Sequence, residues 1–394
     1  MPNIVKRCPV NFLPFYVQKG TRLKAVIAGG GYAGISALTT LKSHCPETDI
    51  VLVDPRESHL KVTHLHETFR RPMQDLTEPY SALGSRLGFR HVPASLSIDE
   101  ETLKRWQLEK CILINEEYLE FDYLLIAIGA RARTVAKPQN VFDLNDLASL
   151  PASVLLARTQ REGGKVPGII SVVGAGATGI QFLFELAHII RTQGLDYRIR
   201  LIDSEDMVLK QFTPKLSRYV AARLAALGVD YLPNTLYRGH EEDKILLENK
   251  DTAEAFELPS QAAWLFLGKM PELLIEANAR GQVMVDGETL EHIFTAGDCS
   301  HFQSWGSNSM TAQAAIRKGK LAARNILRHS GYLPILEPHF NQDLGYLVSL
   351  GPDDAVGWIG WEDNVVAGSP ALVVKEIVEA QYDLLLTGTD TYLI

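Results

Sequence analysis

Apolar residues in this chain gather in short dense runs, and two long stretches repeat one layout. From Lys24 to Asp54, KAVIAGGGYAGISALTTLKSHCPETDIVLVD, an apolar run meets a glycine-rich turn, then a helix-like stretch, then a second apolar run ending in an acid. From Ile169 to Asp203, IISVVGAGATGIQFLFELAHIIRTQGLDYRIRLID does the same. Runs too apolar to alternate suit parallel strands buried on both faces, so each stretch predicts a strand–helix–strand unit. FDYLLIAIGAR (Phe121 to Arg131) predicts another buried strand, stopped at Gly129, and AAWLFLGKMP and EHIFTAGDCS predict two more. Met310 to His329 carries Ala312, Ala315, Ile316, Ala322 and Ile326 at helical spacing, with basic residues late, where the helix dipole favours them. SPALVVKEIVEAQYDLLLTG predicts a late helix with Ser369 as N-cap, Pro370 first in the helix and Gly388 as its stop. Its expected apolar face is Val374, Ile377, Val378, Tyr382 and Leu385, with Glu376, Glu379 and Asp383 on the other.

The glycine turns carry the candidate chemistry. In Gly29-x-Gly31-x-x-Gly34 the first glycine permits a tight turn, the second lets backbone approach a pyrophosphate, and the third lets helix and strand pack closely. Tyr32 and Ala33 fill the motif, and the amides and positive dipole at the helix start suit a diphosphate. Asp54, followed by Pro55 and Arg56, ends the next strand, where a carboxylate can accept ribose hydroxyls. Gly174-x-Gly176-x-x-Gly179 repeats the motif, and Asp203 closes its unit. An acid there favours NADH, while Arg198 and Arg200 nearby leave NADPH open.

Length, 394 residues, suits two or three domains, and 46% hydrophobic with 22% charged residues is ordinary for a globular protein. The net charge of −8 is uneven: Gly331 to Ile394 holds ten acidic residues against one base, Lys375. That speaks against nucleic acid and anionic lipid as electrostatic partners. Cys8, Cys45, Cys111 and Cys299 form no CxxC pair, so spacing gives neither a zinc site nor a redox disulfide, and reducing cytosol is the expected compartment. No run reaches the ~20 apolar residues of a membrane span. Pro9 and Pro14 interrupt the N-terminal stretch, which is expected to be an irregular extension, not a signal peptide. His59, His64 and His66 have no evident fourth ligand, so no metal is expected, and no Ser-His-Asp order supports hydrolysis.

Two such units, IAIGAR between them and TAGDCS after them resemble the two-dinucleotide-domain flavoproteins. Within that superfamily, SHLKVTHLHE, GAGATGIQFLFEL, AGDCS with MTAQAAIRKG, and YLVSLGPDDAVG are similar to type II NADH:quinone oxidoreductases and their apoptosis-inducing-factor-like relatives, over roughly Leu23 to Gly360. The resemblance implies an α/β fold of two Rossmann-like domains, with the NAD domain inserted in the FAD domain, and a C-terminal α+β segment. The expected division is an extension (1–22), FAD domain (23–141 and 262–329), NAD(P)H domain (142–261) and a dimer or membrane-docking segment (330–394).

It further implies non-covalent FAD beside Gly129, Gly297 and Asp298, with Asp298 on the ribityl chain. Thr311, Ala312 and Gln313, opening a helix, would lie beside the isoalloxazine, where their amides favour the anionic reduced ring. Some features depart from the family. Gln181 stands where the family has Glu after the third NADH-side glycine, the second acid surviving as Glu185; a neutral amide cannot relay a proton. AQxAxQ loses its last Gln to Arg317, and Pro352-Asp353-Asp354 replaces a basic stretch. Catalytic candidates are thus Thr311, Gln313, Gln181 and Glu185. Expected cofactors are FAD and NADH, and the expected acceptor is a quinone. A basic protein electron carrier, sulfide chemistry through Cys111 and Cys299, and an NADH sensor are alternatives. Trp358 and Trp361 fit either a membrane interface or a subunit contact. The expected location is cytoplasmic, with peripheral contact at the inner face of a membrane and a homodimer both left open.

Overall fold

The computed structural model describes residues 22–159, 167–331, 335–340 and 342–392, with the backbone of a short antiparallel pairing of Asn3–Ile4 with Tyr16–Val17. Apart from that pairing and Arg22, the extension expected over residues 1–22 lies outside the described residues.

Both glycine motifs fold as the hydrophobic pattern requires. In the first unit β1 (Lys24–Ala28) leads into α1 (Tyr32–His44) and β2 (Asp49–Val53), with β3 (Tyr123–Ile126) beside β1. In the second, β4 (Gly168–Val173) leads into α2 (Ala177–Thr192) and β5 (Tyr197–Ile202). Later come β6 (Ala262–Leu265), β7 (Glu288–Thr295), α3 (Ala312–His329) and α4 (Ser369–Leu386).

The first sheet has eight strands among the described residues, ordered Ser300–Phe302, Ile275–Ala277, Gln282–Val285, β7, β3, β1, β2, Arg90–Val92. From β7 to Arg90–Val92 every pairing is parallel. Alternate residues serve two cores. Ile27, Leu52 and Leu125 pack with α1 and α3 on one face, while Val26, Val53, Leu124 and Ile126 pack with Trp106 on the other. Burial on both faces is why these strands read as unbroken apolar runs.

The second sheet is wholly parallel, ordered Val141–Asp143, β6, β4, β5, Asp230–Leu232. It differs from the expected division in one strand. Ala262–Leu265, assigned from sequence to the returning part of the first domain, pairs with Ile170–Val173 and stays in the second sheet. Its apolar run carries no mark of which sheet it joins; hydrogen-bond register decides that.

The C-terminal segment ties the two halves together. Its strands Gly345–Ser349, Ala355–Ile359 and Val365–Ala367 form an antiparallel sheet that sends Val348, Leu350, Val356 and Trp358 into the second domain's core. From α4, Tyr382, Leu385 and Leu386 enter the first domain's core. The N-cap is Gly368 at φ +73°, one residue before the expected Ser369. The expected apolar face is also split: Tyr382 and Leu385 are buried, but Ile377 is 57% exposed and Val378 39%. Lys375 takes an inward position instead, because its ammonium meets the buried Glu67 and half-buried Glu379 carboxylates.

Candidate functional site

A cleft of about 2250 Å³ lies where both glycine turns, the start of α3, the C-terminal sheet and α4 converge. A single small-molecule site occupies roughly 300–1,000 Å³, so this space suits more than one ligand. The two turns that open into it have the same backbone. Gly29 and Gly174 sit at φ +103° and +104°. A Cβ on Gly34 or Gly179 would stand 1.9 Å from the carbonyl oxygen of Gly29 or Gly174 respectively. Gly34 and Gly179 therefore set helix-to-strand packing and do not line the cleft, while Gly29, Gly31, Gly174 and Gly176 do. Neither α1 nor α2 has a side-chain N-cap, so their first amides are left to the cleft.

Tyr32, Ala33, Asp54, Pro55 and Arg56 also line it, as do Gly129, Gly297 and Asp298. Asp54 accepts from the Gly30 amide at 2.7 Å and from the Arg56 amide at 2.9 Å, and the Arg56 guanidinium holds both its oxygens. Burial works against its charge, but Arg56 and the two amides outweigh burial and hold its carboxyl below the ordinary value. Its lone pairs are thus taken within the protein, so this acid braces the turn and offers less to a ribose than its position in sequence suggests. Asp298 behaves oppositely. Burial raises its pKa and Lys269, 3.6 Å away, only partly opposes that.

Gly30 was passed over in the motif, yet it is held most firmly. Its carbonyl accepts from the Tyr80 hydroxyl and from His59 Nδ1, both at 2.9 Å. A Cβ there would meet the Tyr80 oxygen at 2.2 Å. Because a carbonyl only accepts, Nδ1 of His59 bears the proton, and Nε2 accepts from Tyr382 of α4 at 2.9 Å. Burial pushes the His59 pKa down to about 4, which keeps this neutral form. No spacing signal connects residues so far apart in sequence.

Thr311, Ala312 and Gln313 line the cleft. Thr311 caps α3, its hydroxyl accepting from the Ala314 amide at 3.1 Å. Close packing of α1 on α3 aims that helix: Ser36 donates to the Ile316 carbonyl at 3.1 Å, beside Gly319. On the other unit Asp203 lines the cleft and accepts from the Ala175 and Glu205 amides. Arg200 is spent on Asp230 at 2.7 Å, and neither it nor exposed Arg198 lines the cleft. Neither arginine therefore offers NADPH a contact in the cleft.

With this geometry stands one decisive match: the profile of the pyridine nucleotide-disulphide oxidoreductases aligns with residues 23–319. The chain belongs to that family. A type II NADH:quinone oxidoreductase of Staphylococcus saprophyticus is 24% identical, over 93% of this chain and 96% of that one. One from Staphylococcus aureus strain MSSA476 is 25% identical over 91% and 95%. The Plasmodium falciparum NDH2 solved with NADH superposes with a TM-score of 0.76 at 15% identity, covering 93% and 96% of the two chains. A sulfide:quinone oxidoreductase from Aquifex aeolicus gives 0.73 at 18%, covering 93% and 92%.

This member of the pyridine nucleotide-disulphide oxidoreductases has no disulfide among its described residues; Cys45, Cys111 and Cys299 are free thiols. Cys299 is fully buried, and burial raises its pKa, while Cys111 lies on a peripheral hairpin, so the two make no reactive pair. Gln181 lines the cleft and donates to Ser349 Oγ at 3.0 Å, which in turn meets His66 Nε2 at 3.0 Å. Glu185 does not line it. That carboxylate is fully buried against Arg70 at 3.1 Å, and burial raises its pKa although Arg70 opposes the rise. The three histidines diverge, His59 to Gly30, His66 to Ser349 and His64 to Glu67. Among the described residues, only His64, Glu67 and Glu379 gather as metal ligands could, and Lys375 already supplies a cation to those carboxylates.

Proposed function

We propose that this chain is an FAD-dependent NADH dehydrogenase that passes electrons from NADH to a quinone. The observation that carries the reading is the opening of two matching dinucleotide turns, each closed by an acid, into one cleft. The uncapped helix starts at Gly31 and Gly176, with no atom within 4 Å of a Cβ on Gly31, fit two diphosphates. On this reading Gly29, Gly31, Tyr32 and Ala33 hold the FAD diphosphate, braced by Asp54, Pro55 and Arg56. Gly129, Gly297 and Asp298 meet the ribityl side, where the Asp298 carboxyl can accept from hydroxyls. Thr311, Ala312 and Gln313 bring the N-terminus of α3 to the ring. Gly174, Gly176 and Asp203 hold NADH, with Asp203 reading its ribose, while Gly179 keeps the helix packed close to the turn.

FAD would supply the two-electron chemistry between nicotinamide and acceptor; the protein supplies position, electrostatics and exclusion of water. Tyr346, Leu347, Trp358 and Val378 give the C-terminal side of the cleft an apolar wall, which suits a quinone ring better than a charged carrier protein. No helix of the described residues is long and apolar enough to cross a membrane. We place the protein in the cytoplasm with peripheral contact at the membrane, where exposed Val373, Ile377 and Leu384 of α4 and Trp361 offer apolar surface. Glu185, away from the cleft, is left out of the proposed catalytic set.

Anaerobic titration with NADH and NADPH, then a short-chain quinone, tests the reading through flavin absorbance. Bleaching by NADH and recovery with quinone is expected. Protein that stays colourless after incubation with FAD would refute it.

A further inference from the structure

The two dinucleotide turns hold their acids alike, except for one side chain. In the second unit Asp203 accepts from the Ala175 amide and, at 2.7 Å, from the Glu205 amide. In the first, Asp54 accepts from the matching pair, the Gly30 amide at 2.7 Å and the Arg56 amide at 2.9 Å. Each acid thus takes one amide from its glycine turn and one from the residue two places on. That residue is Glu205 in the second unit and Arg56 in the first.

The Arg56 side chain makes the difference. Its Nε reaches Asp54 Oδ1 at 2.9 Å and its Nη2 reaches Oδ2 at 2.7 Å. An ionised carboxylate has about four lone-pair sites, so two amides and this fork fill Asp54. With two amides alone, Asp203 keeps about two sites for a ligand. The Asp54 side chain is also only 3% exposed, whereas that of Arg56 is 48% exposed and lines the cleft. Arg56 Nη1 lies outside the fork and carries two N–H groups. Tyr80, whose hydroxyl lies beside the guanidinium, is buried and donates to the Gly30 carbonyl.

We infer that the two units read ribose with opposite polarity: the adenosine ribose of FAD accepts from Arg56 Nη1, whereas the NADH ribose donates to Asp203. The inference rests on the FAD reading of the first turn. A ribose hydroxyl can do either, because it has one O–H to donate and two lone pairs that accept. Offered to Asp54, its proton meets oxygens already filled. Offered to Arg56, its oxygen takes a charge-assisted bond from a group that stays protonated. Asp54 is then the positioning residue, aiming the guanidinium through the fork, and Arg56 makes the contact.

The full chain, freed of flavin, is titrated by fluorescence with FAD and with FAD whose adenosine ribose is 2′,3′-dideoxy. Wild-type protein should bind the dideoxy flavin about 10-fold more weakly. Arg56→Met should bind FAD about 10-fold more weakly than wild type and no longer distinguish the two flavins. An arginine with a purely structural role would weaken both flavins alike and leave their ratio intact, which would overturn the proposal. So would Arg56→Met that binds FAD as tightly as wild type or better, because Asp54 freed of its fork would then be the reader. Wild-type protein indifferent to the two flavins overturns it as well. Should Arg56→Met not fold, Arg56→Lys keeps a cation on Asp54 through a single ammonium that cannot also reach the ribose, and the same loss of discrimination is required of it. Protein that takes up neither flavin refutes the FAD reading and this proposal with it. A bound flavin whose discrimination does not depend on Arg56 refutes the proposal alone.

Discussion

Gly30 shows how much of the first turn depends on residues distant in the chain. Its amide is held by Asp54 and its carbonyl by Tyr80 and His59. Tyr382→Phe would leave His59 Nε2 buried without a donor, which costs about 1–3 kcal/mol. It should raise the FAD dissociation constant by roughly 10-fold or more, read as free-flavin fluorescence on dilution. Asp203→Arg removes the acceptor proposed for the NADH ribose, and with it a charged hydrogen bond of about 1.5–3 kcal/mol. A fall in kcat/KM for NADH of roughly 10- to 100-fold is expected; unchanged kinetics would clear Asp203 of that role. The buried histidines make stability depend on acid. His59 and His339 are pushed down to about 4 and His66 to about 3, from an ordinary 6.5, each mainly by burial. The unfolded chain therefore binds more protons than the folded one below pH 6.5, so Tm should fall steadily from pH 6.5 to 4. A Tm that stays level across that window in circular dichroism would contradict these environments.

At the scale of elements, the contact between α1 and α3 places the start of the second helix in the cleft. A Cβ on Gly319 would lie 2.2 Å from the Ala33 carbonyl oxygen and 2.5 Å from Ser36 Oγ. Gly319→Ala must push the two helices apart, an overpacking cost of about 1–3 kcal/mol. A lower Tm together with weaker flavin binding is expected, because the displaced helix is the one that begins at Thr311. The helices themselves were legible as periodic apolar stripes. Their partners were not, and α4 shows why. Five apolar positions predicted one buried face, but the inward side is set by Tyr382 at His59 and Lys375 at Glu67, and Ile377 is left exposed.

At the scale of the whole molecule, the two halves meet through an ion pair. Arg70, on the segment following β2, meets Glu185 of α2 at 3.1 Å. Removing one partner of a fully buried pair costs about 3–5 kcal/mol. The Arg70 side chain is 35% exposed, so solvent reduces the loss on Arg70→Gln to roughly 1–3 kcal/mol. The midpoint of urea unfolding should drop accordingly, with NADH binding less affected than stability. The same pair explains why the sequence pattern misplaces Glu185: an acid on the NADH-side helix fits a catalytic pattern, but Arg70 covers it outside the cleft.

What the chain determined by itself was local. A strand, a glycine turn and a helix are specified by neighbours, and the φ values of Gly29 and Gly174, +103° and +104°, follow from a spacing that two distant segments share. Backbone sterics over a few residues leave such turns little choice. Only the tertiary structure decided which sheet received Ala262–Leu265, that Arg56 would occupy Asp54, and that His59 and Tyr382 would lock Gly30. These outcomes depend on contacts between residues far apart in sequence, where burial and hydrogen-bond geometry override the local pattern.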